Sequence, residues 1–508
     1  MLINANIPLR FKPAELQCFN WIYNLAPCFP VNASKINIIN DPKKFYDTLC
    51  DRFWNAKRRI SIASLYIGTG NLERRLLEVT KDNVMEKRDL KFSVLLDNQR
   101  GTRGFENSVT LLQGLINDAS EQCRVSLYQT PRLQGVWSRV LPSRYNELVG
   151  LQHMKLYIAD DSVLLSGANC SNDYFQQRQD RYIEIHDADL ANFYSEIIDE
   201  VSNYSKECLG NDIINIKHDK TQMIQQLNKN INSHIEKWKE RQSLKFLTIN
   251  ANSDTWIFPL IQMGEFNITQ DELVTRKFLQ SAPKSSYLQL ATGYFNLTNQ
   301  YSDTLLKECK ANISLLMAHP NANGFLGAAG PAGGIPNAYS LIARKFWQRV
   351  LDSNQTSRVK MMEYERPGWT FHAKGLWYYP PGSGVPWATI VGSANLGERS
   401  VRRDLEAQAM IFTASPDLQV KPTFTSSLDG RVCRLIMSKT YWVFSTYLHL
   451  DEYLVVSRHK YVACDLEVLG SIPGSENVGF FIRKFPVAAQ SLEMSRKSAI
   501  GSPPITWD

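Results

Sequence analysis

Short apolar runs alternate with charged, helix-patterned stretches along most of the chain, and the same order occurs twice. A first helix opens at Asp41-Pro42, an N-cap followed by the residue suited to the first helical position, with Phe45, Leu49 and Phe53 on one face. The β-branched run 60–66 (ISIASLY) follows, then Gly68, Thr69 and Gly70, then a charged helical stretch from 72 to about 87. A second buried-strand run, 92–97 (FSVLLD), ends in a basic loop, and a third spans 125–129. The second half repeats the layout: strand 287–294 (YLQLATGY), helical stretch 299–311, strand 313–317 (ISLLM), helix 338–351 and short strand 359–363. Strands alternating with helices in two matched series predict an α/β fold of two similar lobes, each a mixed β-sheet flanked by helices.

The boundaries that follow are a first lobe at 41–216, a polar Lys- and Gln-rich connecting helix at 217–245, and a second lobe at 246–415. Residues 1–40 are poor in acids and carry Arg10 and Lys12, a composition compatible with an organellar presequence and equally with an irregular globular start. No functional reading attaches to 416–508.

Composition narrows the classes. The 508 residues are 44% hydrophobic and 21% charged, as in a globular protein with room for two cores. A net charge of +7 suits an anionic substrate or lipid surface but is too small for a nucleic-acid binder. Nine scattered cysteines with no C-x-x-C pair predict free thiols and no zinc site. No apolar run reaches the roughly eighteen residues a membrane span needs, so a lipid substrate would be met from the side.

Within the duplicated layout, one constellation carries chemistry. His153 and Lys155 are separated by one residue, and so are His372 and Lys374. Asn169 and Asn395 follow, and eleven residues beyond each stands an acid, Asp180 and Glu406. Residues i and i+2 of an extended chain face one side, so each His and its Lys project together. Two imidazoles, two ammonium groups and two carboxamides around one phosphate can supply nucleophile, acid/base and charge stabilisation without a metal. A matching acid can fix the tautomer of an imidazole. A single H-x-K would mean little; the specificity lies in four residue types recurring in order within matched strands. Hairpins are expected at 155–166 and 374–391, the motif regions spanning 147–173 and 366–400.

The pattern resembles the phospholipase D superfamily, whose H-x-K-x4-D motif is met in full by His153, Lys155 and Asp160. The second copy departs from it: Tyr379 stands where the Asp would be. Runs 63–70 (ASLYIGTG), 95–104 (LLDNQRGTRG), 150–155 (GLQHMK), 165–181 (LSGANCSNDYFQQRQDR) and 399–408 (RSVRRDLEAQ) are similar to eukaryotic phosphatidylglycerophosphate synthases, the similarity covering about 56 to 412. That resemblance implies a site at the lobe interface. It implies CDP-diacylglycerol and sn-glycerol 3-phosphate as substrates, with His153 as nucleophile and His372 as acid/base. It also implies a mitochondrial enzyme lying peripherally on the inner membrane. No cofactor is required by this chemistry, and divalent cations are expected at most to stimulate. Water as acceptor, giving a lipase or nuclease, is the competing outcome from the same motif; a catalytically inactive interaction protein is a third.

Outlying candidates are weaker. Arg100 and Arg103, after a strand, are placed to meet a substrate phosphate, and the Gly68-Thr69-Gly70 turn to offer amides to a nucleotide. Arg132, Trp137, Arg139 and Arg144 interleave basic and aromatic groups as an anionic membrane surface would require. The uncharged loop 323–336, with Phe325, Leu326 and Ile335, has the composition of a lid or membrane-dipping loop.

Overall fold

Helix Pro42–Asn55 begins where the sequence indicates, because the Asp41 carboxylate accepts the amide N–H groups of Lys43 and Lys44 at 2.9 and 3.1 Å. Its Phe45, Leu49 and Phe53 are fully buried, each worth about 1.5–3 kcal/mol of burial. The structure, a computed structural model, describes residues 9–133, 149–214, 219–249, 253–328, 330–419 and 433–435.

Two large mixed sheets contain the repeat. We label the matched strands β1 (Arg59–Ala63), β2 (Lys91–Asp97), β3 (Cys123–Tyr128), β4 (Leu156–Ala159), β5 (Ser162–Ser166) and β6 (Tyr182–His186). Their counterparts are β7 (Tyr287–Thr292), β8 (Asn312–Ala318), β9 (Val359–Tyr364), β10 (Gly375–Tyr379), β11 (Ala388–Gly392) and β12 (Leu405–Thr413). The first sheet runs β3-β2-β1-β4-β5-β6 and the second β9-β8-β7-β10-β11-β12. Within each, the first three strands are parallel and the rest antiparallel. The hairpins β4–β5 and β10–β11 are those expected on either side of the H-x-K motifs. The two lobes are therefore one design built twice.

The lobes share a core. Ile158, Val163 and Ile183 of the first sheet cluster with Val391, Ala407 and Ile411 of the second. Helix Lys220–Ile249, expected as a connector, adds Met223, Leu227, Ile231, Ile235 and Trp238 to that cluster, on one helical face.

For residues 11–39 the structure favours the second of the two readings, an irregular globular start. Strand Phe29–Val31 pairs with Thr255–Met263 at the edge of the second sheet, and Ile36–Ile39 pairs with β6 at the edge of the first. Phe11, Leu16, Phe19 and Ile22 are buried in the second lobe, with Phe19 stacked on Phe278 at 4.5 Å. A leader cleaved near residue 40 would strip both sheet edges and open that core. Trp137, Arg139 and Arg144, and all of 416–508 except 416–419 and 433–435, lie outside the described residues. Among the described residues no helix is long and apolar enough to cross a membrane.

Candidate active site

Each histidine sits in the extended segment entering its hairpin, and backbone hydrogen bonds tie that segment to the opposite lobe. The His153 amide donates to the Leu405 carbonyl (2.9 Å), and the His372 amide donates to the Gln179 carbonyl (2.8 Å). The next residues along, Glu406 and Asp180, are the acids. Consequently the pairs are crossed: His153 Nδ1 lies 3.0 Å from both Glu406 carboxylate oxygens, and His372 Nδ1 lies 2.7 Å from Asp180 Oδ2. Nδ1–H donated to a carboxylate leaves Nε2 with the lone pair in both rings.

Arg181, beside Asp180, locks the crossing. Its Nη1 donates to the Ile390 and Lys374 carbonyls (2.7 and 3.3 Å), Nη2 donates to Thr389 Oγ1, and the guanidinium lies 3.9 Å over the Trp377 ring. Gly375, with φ of +151°, makes room for it, since a Cβ there would stand 2.0 Å from Nη1.

The lysines fold back onto their own histidines. Lys155 Nζ donates to the His153 carbonyl (2.6 Å) and Lys374 Nζ to the His372 carbonyl (2.8 Å), also lying 2.9 and 3.1 Å from the His372 ring nitrogens. Asn169 and Asn395 each keep a carboxamide oxygen that is buried and unpartnered among the described residues. Hydrogen-bonding capacity left over at matched positions of both copies suits a ligand held between them.

Burial sets the electrostatics. It drives both imidazoles well below their ordinary range, with Lys155 acting on His153 and Lys374 on His372 in the same direction. Both are therefore neutral near pH 7, as a nucleophile and a base must be. Burial raises Asp180 to about 6 against the pull of Lys374, and lowers Lys374 to about 8 against that of Asp180. It also lowers Lys155 and raises Glu406; an anionic phosphate between the lysines would restore their charge. A bell-shaped dependence of kcat/KM is expected. Below about 6 Asp180 protonates and releases the His372 tautomer, and above about 8 Lys374 loses its charge. A profile flat from pH 5 to 9 would contradict these assignments.

Other sequence candidates fall outside this centre. Asp160, matched to the superfamily motif, sits at the far end of β4 with φ of +49°, its carboxylate accepting the amides of Lys57, Arg58 and Arg59. It is a turn-forming anchor at the start of β1 rather than a catalytic group, which also explains why Tyr379 can replace it in the second copy. The Gly68-Thr69-Gly70 turn is poorly suited to a nucleotide phosphate. The Gly68 N–H donates to the Cys170 carbonyl, and the buried Glu73 carboxylate fills the turn, where it would repel a phosphate. Arg100 does reach the rim, lying 4.7 Å over the Tyr66 ring, while Arg103 is exposed in the following loop. Arg132 pairs with Glu265 at 3.2 Å and stays exposed.

Sequence reasoning missed Arg181 and two tyrosines. Tyr174, on helix Asn172–Gln176, brings its hydroxyl 3.3 Å from His372 Nε2 and accepts a hydrogen bond from Asn169 Nδ2 at 3.3 Å. Tyr294 stands edge-on to the His372 ring at 5.5 Å and contacts Phe325 of the 323–336 loop. Among the described residues one group of possible metal ligands occurs, His153 with Asp404 and Glu406, whose ligand atoms lie within 4.8 Å of one another. Its acids are already engaged: Asp404 accepts from Leu151 N–H and Arg399, and Glu406 faces His153.

No family model matches the chain. Over 445 residues it is 42% identical to the mitochondrial CDP-diacylglycerol–glycerol-3-phosphate 3-phosphatidyltransferase of Homo sapiens, covering 81% of this chain and 80% of that protein. The Saccharomyces cerevisiae protein of the same name is 33% identical over 433 residues, covering 78% and 82%. Among solved structures, phosphatidylserine synthase from Haemophilus influenzae Rd KW20 shares the fold, with a TM-score of 0.63 at 18% identity, covering 89% of this chain and 99% of that one.

Proposed function

The chain belongs to the CDP-diacylglycerol–glycerol-3-phosphate 3-phosphatidyltransferases, and from that membership we propose the route by which it makes phosphatidylglycerophosphate. His153 Nε2 attacks the lipid-side phosphorus of CDP-diacylglycerol, the bond to CMP breaks, and a phosphatidyl-histidine forms. The hydroxyl of glycerol 3-phosphate then attacks that phosphorus, its proton passes to His372 Nε2, and the P–N bond breaks. Lys155, Lys374, Asn169 and Asn395 surround the non-bridging oxygens, where negative charge grows. The crossed acid–imidazole pairs carry this reading, because each presents one Nε2 to the interface.

Protein groups supply every role, so we propose that no metal activates the nucleophile. Purified protein in excess EDTA and neutral detergent should convert CDP-diacylglycerol and glycerol 3-phosphate to phosphatidylglycerophosphate and CMP. Phosphatidate as the main product with glycerol 3-phosphate present would instead indicate a hydrolase, and total loss of turnover restored by one specific metal would overturn the metal-free scheme.

The relatives support a mitochondrial location; we propose peripheral contact with the inner membrane through the loops after β2 and β8. These are equivalent positions in the two lobes, and they carry Phe105, 98% exposed, and Leu326, 57% exposed. Phe325 joins the second loop to the Tyr294–His372 stack. Replacing both Phe105 and Leu326 with Asp should abolish sedimentation with vesicles containing anionic lipid while sparing turnover of a short-chain, water-soluble substrate. Unchanged vesicle binding would rule these loops out.

A further inference from the structure

The two histidines differ in what faces their reactive nitrogens. His153 Nε2 has no hydrogen-bond partner among the described residues, and its side chain is 12% exposed. His372 is 4% exposed. Asp180 takes its Nδ1–H, so its Nε2 lone pair can only accept, and two donors stand near it: the Tyr174 hydroxyl at 3.3 Å and Lys374 Nζ at 3.1 Å. The Tyr174 oxygen in turn accepts from Asn169 Nδ2, giving one consistent chain of donors. The rings of Tyr174 and Tyr294 stand edge-on to the imidazole at 5.1 and 5.5 Å, closing it off from solvent. Lys374 Nζ, at 2.9 and 3.1 Å, is nearly equidistant from the two ring nitrogens and therefore off the Nε2 lone-pair axis, which leaves that direction to the tyrosine.

The duplication makes this asymmetry meaningful. Tyr174 stands five residues after Asn169, whereas the matching residue after Asn395 is Ser400. Ser400 turns its hydroxyl to the Asn395 amide at 3.2 Å. Among the described residues, therefore, only one of the two imidazoles has a tyrosine hydroxyl on its ring nitrogen.

We propose that Tyr174 makes the site a transferase rather than a hydrolase, by masking the lone pair of His372 until glycerol 3-phosphate is bound. The inference rests on the phosphatidyl-histidine route above. Once CMP has left, water entering the site finds no available base, and the intermediate persists. Glycerol 3-phosphate brings a phosphate whose binding energy can be spent on displacing the tyrosine; water brings none. The nearest cation to Tyr174 is placed for this coupling. Arg178 lies 4.5 Å over the Tyr174 ring, with Nε donating to Thr370 Oγ1 at 2.9 Å and Nη2 to Asp173 at 3.3 Å. An anion drawn to that guanidinium loosens the tyrosine it covers. In transfer, the acceptor hydroxyl oxygen bonds to phosphorus, its proton goes to His372 Nε2 and the P–N bond to His153 breaks. In hydrolysis water takes the place of that hydroxyl, and the product is phosphatidate. Tyr174 acts through His372 Nε2 and not on the phosphorus or the acceptor oxygen, so it is a positioning residue that sets acceptor specificity.

Tyr174→Phe keeps the ring and removes the hydroxyl. The phosphatidate-to-phosphatidylglycerophosphate ratio should rise by about tenfold or more, a fraction of what a positioned base contributes. Without acceptor the variant should form phosphatidate continuously, while the wild-type enzyme stops after a burst of CMP. A second arm uses the wild-type enzyme alone: n-propyl phosphate, which carries the anion without the nucleophile, should speed decay of the intermediate to phosphatidate. An active Tyr174→Phe enzyme with the wild-type product ratio overturns the proposal, and so does indifference to propyl phosphate. If the variant does not fold, the propyl phosphate arm decides. Phosphatidylglycerophosphate formed by wild-type enzyme with no adduct trapped under acid-sparing, alkaline quench would instead sink the covalent route, an outcome the product ratio does not mimic.

Discussion

His153→Ala is expected to abolish both CMP release and any covalent lipid adduct, lowering kcat by about 10⁵-fold or more, the scale on which loss of a nucleophile acts. The imidazole is neutral, its Nδ1–H is committed to Glu406, and its Nε2 has no competing hydrogen bond among the described residues. Alanine removes the atom proposed to accept the phosphatidyl group, and Lys155, Lys374 and the two asparagines remain to bind substrate. Binding of CDP-diacylglycerol should therefore persist while turnover disappears. Mass spectrometry of the quenched wild-type enzyme should show the phosphatidyl adduct on His153, and the variant should show none. An adduct on His372 in the His153→Ala protein would reverse the roles. CMP release by wild-type enzyme only when glycerol 3-phosphate is present would favour direct displacement.

The fold was legible because its strands are short, apolar and bounded by turn residues, and because each appears twice. Strand order within each sheet follows the repeat, so β1 and β7, or β4 and β10, could be matched from residue types alone. The pairing of the site was not legible. Equal spacing from Asn169 to Asp180 and from Asn395 to Glu406 announces an acid for each histidine but cannot say whether it acts within its own lobe. The crossing is decided by long-range backbone bonds, His153 to Leu405 and His372 to Gln179, which no local pattern encodes. At Asp160 the motif match and the turn position pointed different ways, and its left-handed φ and three amide partners favour the turn that the missing Asp at Tyr379 already suggested. Residues 11–39 stayed undecided in the sequence because a lack of acids describes a buried segment as well as a leader. Tyr174 was visible only as a break in the repeat, and breaks become informative once the matched residues have been shown to face one site.

His372→Ala is expected to stall the enzyme halfway. CMP is a good leaving group and departs with little help from an acid, so the first transfer should proceed. The acceptor hydroxyl is a weak nucleophile and needs its proton removed, so the second transfer should slow by about 10²–10⁴-fold, the range a positioned base supplies. The variant should thus release about one equivalent of CMP per site as a burst and accumulate phosphatidyl-enzyme, the kinetic signs of a ping-pong route. The asymmetry of the site supports this division. The difference lies at Nε2, which meets the Tyr174 hydroxyl in His372 and has no partner among the described residues in His153, while Asp180 on Nδ1 stabilises the imidazolium as Glu406 would for the other ring. Removing the imidazole also removes what Tyr174 masks, so the trapped intermediate should decay no faster to phosphatidate than to phosphatidylglycerophosphate. That result separates the base from its guard: Tyr174→Phe opens the site to water through His372, and His372→Ala closes it to every acceptor. A His372→Ala enzyme that turns over at the wild-type rate, or one with no CMP burst, would show that the second imidazole serves the first transfer or neither.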